Sequence, residues 1–111
     1  MNKKSLGSYY TPIRLSNVIA DYCLEYFQQD NISILEPSVG DGNFVTAISE
    51  NQQLDRFDRV NLTIVEREVE ELNKAIRRCS PSINLNSIHS DYFLIFELRL
   101  LKKQSKYYLF F

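Results

Sequence analysis

The chain has 111 residues, 44% of them hydrophobic, with two cysteines, one histidine and a formal charge of −1. That length allows one small domain with enough apolar content for a core, and so small a charge supplies no global field for attracting nucleic acid. A lone histidine and two isolated thiols lack the spacing of a zinc site or a histidine-based triad.

Met1–Ser8 is polar and basic and leads into Tyr9-Tyr10-Thr11-Pro12. Thr11 before Pro12 reads as a helix start, a capping oxygen followed by a pre-set φ. Leu15, Val18, Ile19, Tyr22, Cys23, Tyr26 and Phe27 then recur at helical spacing and predict one buried stripe, closed by Asp30-Asn31. Ser33–Glu36 reads as a short buried strand, and Asn43 to about Asn51 as a helix. The polar stretch Gln52–Arg59 reads as a loop with room for a helical turn. Val60–Glu66 alternates, is β-branched and predicts a strand. Val69, Leu72, Ile76 and Cys79 mark a helix that stops before Pro81. Ile83, Leu85 and Ser87 alternate with asparagines and suggest a third strand ending near His89, a polar residue at a strand end. Leu94–Lys103 follows as a candidate helix and Tyr107–Phe111 as a candidate strand. Strand–helix alternation at this spacing implies βαβ units and a parallel sheet, hence an α/β fold. Cys23 and Cys79 fall on apolar helix faces and read as buried apolar positions. No apolar run suits a membrane span and no signal peptide is visible, so a cytoplasmic location is expected.

The chemistry concentrates at Ile34–Phe44, where a strand end runs into Glu36-Pro37 and then a turn holding Gly40 and Gly42. Two glycines there permit positive φ and close approach of a cofactor to the backbone. A dinucleotide turn and an S-adenosylmethionine turn both fit that description. The dinucleotide fingerprint asks for a third small residue where the helix packs on the strand, and Val45 occupies that place. The acid and proline before the turn are also foreign to it, so the dinucleotide reading falls behind.

Glu36-Pro37-Ser38-Val39-Gly40-Asp41-Gly42-Asn43-Phe44 resembles the (D/E)-P-x-x-G-x-G-x-F motif of S-adenosylmethionine-dependent adenine-N6 DNA methyltransferases of restriction–modification systems. Gly7-Ser8-Tyr9-Tyr10-Thr11-Pro12 is similar to the segment that precedes the first strand in that family. Val65-Glu66 matches the acid ending the second strand, and Ser90-Asp91-Tyr92-Phe93 the D-[FY]-F after the third. Each match alone would be weak; together they stand in the family's order and span nearly the whole chain. The resemblance implies a Rossmann-like methyltransferase fold with about the first four of the family's seven strands. It implies a single domain, in which residues 1–30 form an amino-terminal segment and helix and 31–111 a partial cofactor domain.

By the same resemblance, Gly40 and Gly42, with Glu36, Pro37 and Phe44 around them, would hold the methionine part of S-adenosylmethionine. Glu66 would accept its ribose hydroxyls. Asp91 would accept its adenine amino group, with Tyr92 or Phe93 covering the ring. Tyr9 and Thr11 would meet the methionine carboxylate or amino group. Plainer roles stand beside each: an ordinary strand–helix turn for the glycines, a solvated acid opening an acidic helix for Glu66 and a cap for Asp91. For Tyr9 the plainer role is packing, and for Thr11 it is a helix cap. Arg99, Lys102, Lys103 and Lys106 read as a solvated helix face or as phosphate contacts.

The family's catalytic [D/N]-P-P-[YF] motif does not occur, because Pro12, Pro37 and Pro81 are each isolated. The expectation is therefore a cofactor-binding fragment, inactive alone, that meets DNA through a complete enzyme or a second chain supplying the missing strands. A non-catalytic remnant or partner subunit is the rival reading. A fragment acting on RNA or on protein glutamine is a third, and Gly7–Pro12 favours DNA adenine over it.

Overall fold

The computed structural model describes residues 11–37, 39–40 and 42–90. Its frame is a parallel sheet of β1 (Asn31–Glu36), β2 (Arg59–Glu66) and β3 (Asn84–His89), in that order across the sheet. Register runs from Asn31 opposite Arg59 to Glu36 opposite Ile64, and from Asn61 opposite Asn84 to Glu66 opposite His89. Parallel neighbours require crossovers, and helices α2 (Asn43–Ser49) and α3 (Val69–Arg78) supply them. A further helix, α1 (Ile13–Tyr26), precedes β1, and a short 3-10 helix, Gln52–Arg56, links α2 to β2. The candidate helix Leu94–Lys103 and the candidate strand Tyr107–Phe111 lie outside the described residues.

Strand alternation decides the layers. Ile32 and Ile34 of β1 and Val60, Leu62 and Ile64 of β2 share one face and join the core with Ala20, Leu24, Val45, Ala47, Ile48, Leu72 and Ala75 of the helices. All three helices therefore cover that face. Glu36 and Glu66 end the same two rows, at the carboxyl edge of the sheet. The opposite face carries a polar ladder, in which Asn84 donates to Asn61 at 2.7 Å and Asn61 to Ser33 at 3.5 Å. The asparagines that alternate along β3 thus lie on one face and Leu85 and Ser87 on the other.

Helix α1 departs from the sequence expectation. Its buried positions are Ser16, Ala20, Cys23 and Leu24, followed by Phe27 just past its end. Leu15, Val18, Tyr22 and Tyr26 are exposed, Tyr22 by 73%, and Ile19 is half-buried. The apolar residues cover too wide an arc for one face, and the helix is turned about a quarter of a revolution from the predicted stripe. Small residues face inward because α1 packs directly on α2. On the exposed side of α1, Asp21 accepts from Asn51 Nδ2 at 2.8 Å. Nor does Thr11 cap the helix: Pro12 holds the cap position, and no side chain bonds there.

The other end of α1 lacks a glycine stop and is closed from a distance. Arg56 donates Nη1 to the carbonyl of Phe27 at 2.8 Å and Nη2 to that of Leu24, while its guanidinium lies 4.4 Å from the centre of the Phe57 ring. An arginine fork suits two orphan helix carbonyls because it donates without needing an acceptor.

Burial pushes the Cys23 thiol up from 9.0 to about 11, and raises Cys79 against an opposing hydrogen bond from Ser49. The unfolded chain then releases the Cys23 proton first, so that thiol's stabilising contribution is whole below pH 9 and is lost as pH rises toward 11. Urea midpoints should fall over that window, and Cys23→Ala should flatten the slope.

Rotation of α1 gives a sharper test. Ala20 is wholly buried, so Ala20→Asp should cost about 3 kcal/mol or more, as an unpaired buried charge does. Tyr22→Asp should stay within about 0.5 kcal/mol of wild type. Urea denaturation of the two variants decides between the observed face and the predicted stripe.

Candidate cofactor site

The carboxyl ends of parallel strands form a crevice in open α/β sheets, because the crossovers leave the sheet there. In this chain the turn after β1 folds back across the end of β2. Val39 N–H donates to the carbonyl of Val65 at 3.0 Å, and Gly40 N–H donates to Glu66 Oε1 at 3.0 Å. Glu66 Oε2 accepts from the N–H of Glu68 at 3.0 Å, and the Glu66 carbonyl accepts from Ser90 at 3.2 Å. One acidic residue thereby fixes the turn after β1, the turn into α3 and the end of β3.

Glu66 is only 8% exposed. A buried carboxylate is tolerated where hydrogen bonds replace water, and two backbone donors do that here. A carboxylate offers about four acceptor positions, and donors among the described residues take two of them, which leaves acceptor capacity at the crevice. The plainer alternative, a solvated acid at a helix start, does not describe a buried side chain bonded to the glycine turn.

Gly40 and Gly42 have φ of 58° and 96°, a region that L side chains rarely enter. At Gly42 there is a second demand. A Cβ there would stand 2.8 Å from Ala75 Cα and 3.3 Å from Arg78 Cδ, inside contact distance. The second glycine of the turn makes room for α3. Phe44, the second residue of α2, is buried in the core, Glu36 is buried at the end of β1 and Pro37 is half-buried. Thr11 reaches the turn through its backbone, since its carbonyl accepts from Asn43 Nδ2 at 2.8 Å.

A family model for the N-6 DNA methylases matches residues 1–105. The chain belongs to that family. Among solved structures, it is similar to a Listeria monocytogenes protein assigned to the class I S-adenosylmethionine-dependent methyltransferases. The two are 19% identical with a TM-score of 0.59, over 81% of this chain and 30% of that one. That likeness confirms the Rossmann-like methyltransferase fold. The chain spans less than a third of the length of the Listeria protein. S-adenosylmethionine is the cofactor of the family.

The structure brings Thr11, Glu36, Pro37, Gly40, Gly42 and Glu66 to one end of the sheet. Tyr9, Asp91, Tyr92 and Phe93 lie outside the described residues, although His89 and Ser90 bring the chain to the end of β2 just before Asp91. His89 is exposed, and its ring Nε2 lies 2.8 Å from the carbonyl of Arg67, as suits a polar strand end. A polar depression lined by Asn17, Asp21, Ala47, Glu50, Asn51, Gln52 and Gln53 sits at the other end of α2, away from the glycine turn. No cluster of histidine, cysteine and acidic residues suited to a metal occurs among the described residues. No helix among them is long and apolar enough to cross a membrane.

Sequence reasoning passed over Asn43 and Arg78. Arg78 Nη1 donates to Asn43 Oδ1 at 3.1 Å, a contact across 35 residues that no local pattern encodes. The crowding at Gly42 yields a prediction that needs no ligand. Gly42→Ala should lose about 2 kcal/mol or more from backbone strain and collision with α3. A urea midpoint equal to wild type would show that α3 can move aside.

Proposed function

We propose that this chain provides the S-adenosylmethionine-binding part of a site-specific adenine-N6 DNA methyltransferase of the restriction–modification type. The observation that carries the reading is Glu66, a buried carboxylate that holds the glycine turn and keeps acceptor capacity toward the crevice, in a chain of the N-6 DNA methylase family. Two hydroxyls on one ribose match that remaining capacity. Gly40 and Gly42 keep the turn low enough for the methionine part to lie against it, with Glu36, Pro37 and Phe44 fixing the turn from beneath. Thr11 and Tyr9 meet the amino-acid end. Asp91, with Tyr92 or Phe93, takes the adenine.

Bound S-adenosylmethionine supplies an electrophilic methyl group on sulfur. These residues bind and orient it, and orientation is the larger part of what such a site contributes. A target adenine must leave the DNA stack and be held by its amino group and its ring face. The family does this with N-P-P-Y, and no two prolines are adjacent in these 111 residues. We therefore assign the grip on the flipped base to residues outside them, in a longer enzyme or in a second chain added beside β1. The full assembly would act on DNA in the cytoplasm.

Calorimetry on the folded chain should show saturable binding of S-adenosylmethionine or S-adenosylhomocysteine. Glu66→Ala and Asp91→Ala should each weaken it by about 1–3 kcal/mol. Absence of binding by a cooperatively melting sample would remove the cofactor reading. Labelled methyl should reach mixed-sequence DNA only when an N-P-P-Y-bearing partner is added, and incorporation by the chain alone would overturn that division of labour.

A further inference from the structure

Thr11, Asn43 and Arg78 come from three separate parts of the chain and meet in one polar line beside the glycine turn. Asn43 is the first residue of α2, next to Gly42. Its Nδ2 donates to the Thr11 carbonyl at 2.8 Å, and its Oδ1 accepts from Arg78 Nη1 at 3.1 Å. A guanidinium can only donate, so Arg78 fixes which way the Asn43 amide faces and leaves the NH2 toward Thr11. The Arg78 stem passes beside Gly42, its Cδ 3.3 Å from where a Cβ on that residue would stand.

The bond to Thr11 governs more than one oxygen. The Thr11–Pro12 peptide is planar, and Pro12 has φ of −58° with no N–H to spend elsewhere. Pinning the Thr11 carbonyl therefore sets the orientation of the whole peptide unit relative to α1. The Thr11 carbonyl precedes the helix, whose first bond runs from Ser16 N–H to Pro12, so within the helix it has no donor.

We propose that Asn43 is a positioning residue for the amino-acid end of the cofactor. It anchors Thr11 beside the glycine turn, and Arg78 orients its amide. The proposal rests on the reading that S-adenosylmethionine occupies this turn. It adds a residue that touches no ligand and acts on one end of it alone: Asn43 belongs with Thr11, whereas Glu66 belongs with the ribose.

Asn43→Asp tests this. Aspartate keeps an acceptor for Arg78 and loses the donor to Thr11, so the fold is retained while the tie is cut. The full chain is titrated with S-adenosylmethionine and with 5′-methylthioadenosine, which lacks the amino-acid end. Asn43→Asp should raise the Kd for S-adenosylmethionine about threefold to tenfold and leave that for 5′-methylthioadenosine unchanged. Hydrogen exchange in the peptide carrying Thr11 to Ser16 should quicken without ligand. Arg78→Met keeps an aliphatic stem over Gly42 and frees the amide to turn, so it should shift S-adenosylmethionine affinity the same way by a smaller factor. It serves as the second variant should Asn43→Asp melt early. Equal affinity of wild type and both variants for S-adenosylmethionine would overturn the proposal. Equal weakening toward both ligands would overturn it too, marking a structural role. Wild type binding neither ligand would bring down the cofactor reading itself, and this inference with it.

Discussion

The carboxylate of Glu66, shut in at the carboxyl end of β2, is the contact on which the crevice depends. A buried charge without partners would be strongly destabilising, and its two backbone donors among the described residues come from two different turns. Gly40 belongs to the turn after β1 and Glu68 to the turn into α3. Joining them through one side chain fixes the spacing between the two walls of the crevice before any ligand arrives. An acceptor held in this way needs no reorganisation on binding, which is where a preformed site gains its advantage.

The glycine turn shows a motif serving two masters. Read from sequence, both glycines make room for a cofactor. In the structure Gly42 also makes room for Ala75 of α3, at a distance where any Cβ would collide. Sequence could point to the position because positive φ and close approach leave only glycine, whatever does the approaching. It could not say that a helix does, since Gly42 and Ala75 are joined only by the tertiary packing of α2 against α3. The strands were readable for a similar reason: alternation in Val60–Glu66 and the asparagines of β3 reflect two faces with different surroundings, and β2 and β3 appear within a residue of their expected bounds.

Helix α1 was legible as a helix and illegible as a packed object. Periodicity locates an apolar arc, and in α1 that arc runs more than halfway round. Which part of it faces inward depends on how closely the partner approaches. Ser16 and Ala20 let α2 come near, so the small residues are buried and Tyr22 and Tyr26 remain outside. Its end was equally hidden. Arg56 reaches back across about thirty residues to take the carbonyls of Leu24 and Phe27, a contact that no capping rule based on neighbours can anticipate.

These contacts divide the site into a stiff part and a compliant part. The Gly40–Glu66 bond lies in buried surroundings, where losing a partner carries the full desolvation cost. The Thr11–Asn43 and Asn43–Arg78 bonds are exposed, and water competes for both. Each such bond contributes little alone, so their effect comes from order: Arg78 has one way to meet the amide, and the amide then has one way to meet Thr11. With the cofactor placed as proposed, such a site would present a fixed acceptor to the ribose and an adjustable backbone to the amino-acid end. Loss of the buried contact should be felt by every ligand with a ribose. Loss of the exposed pair should be felt only by those that extend as far as Thr11. The same three-element line also couples α3 to Thr11, just before α1, through Asn43.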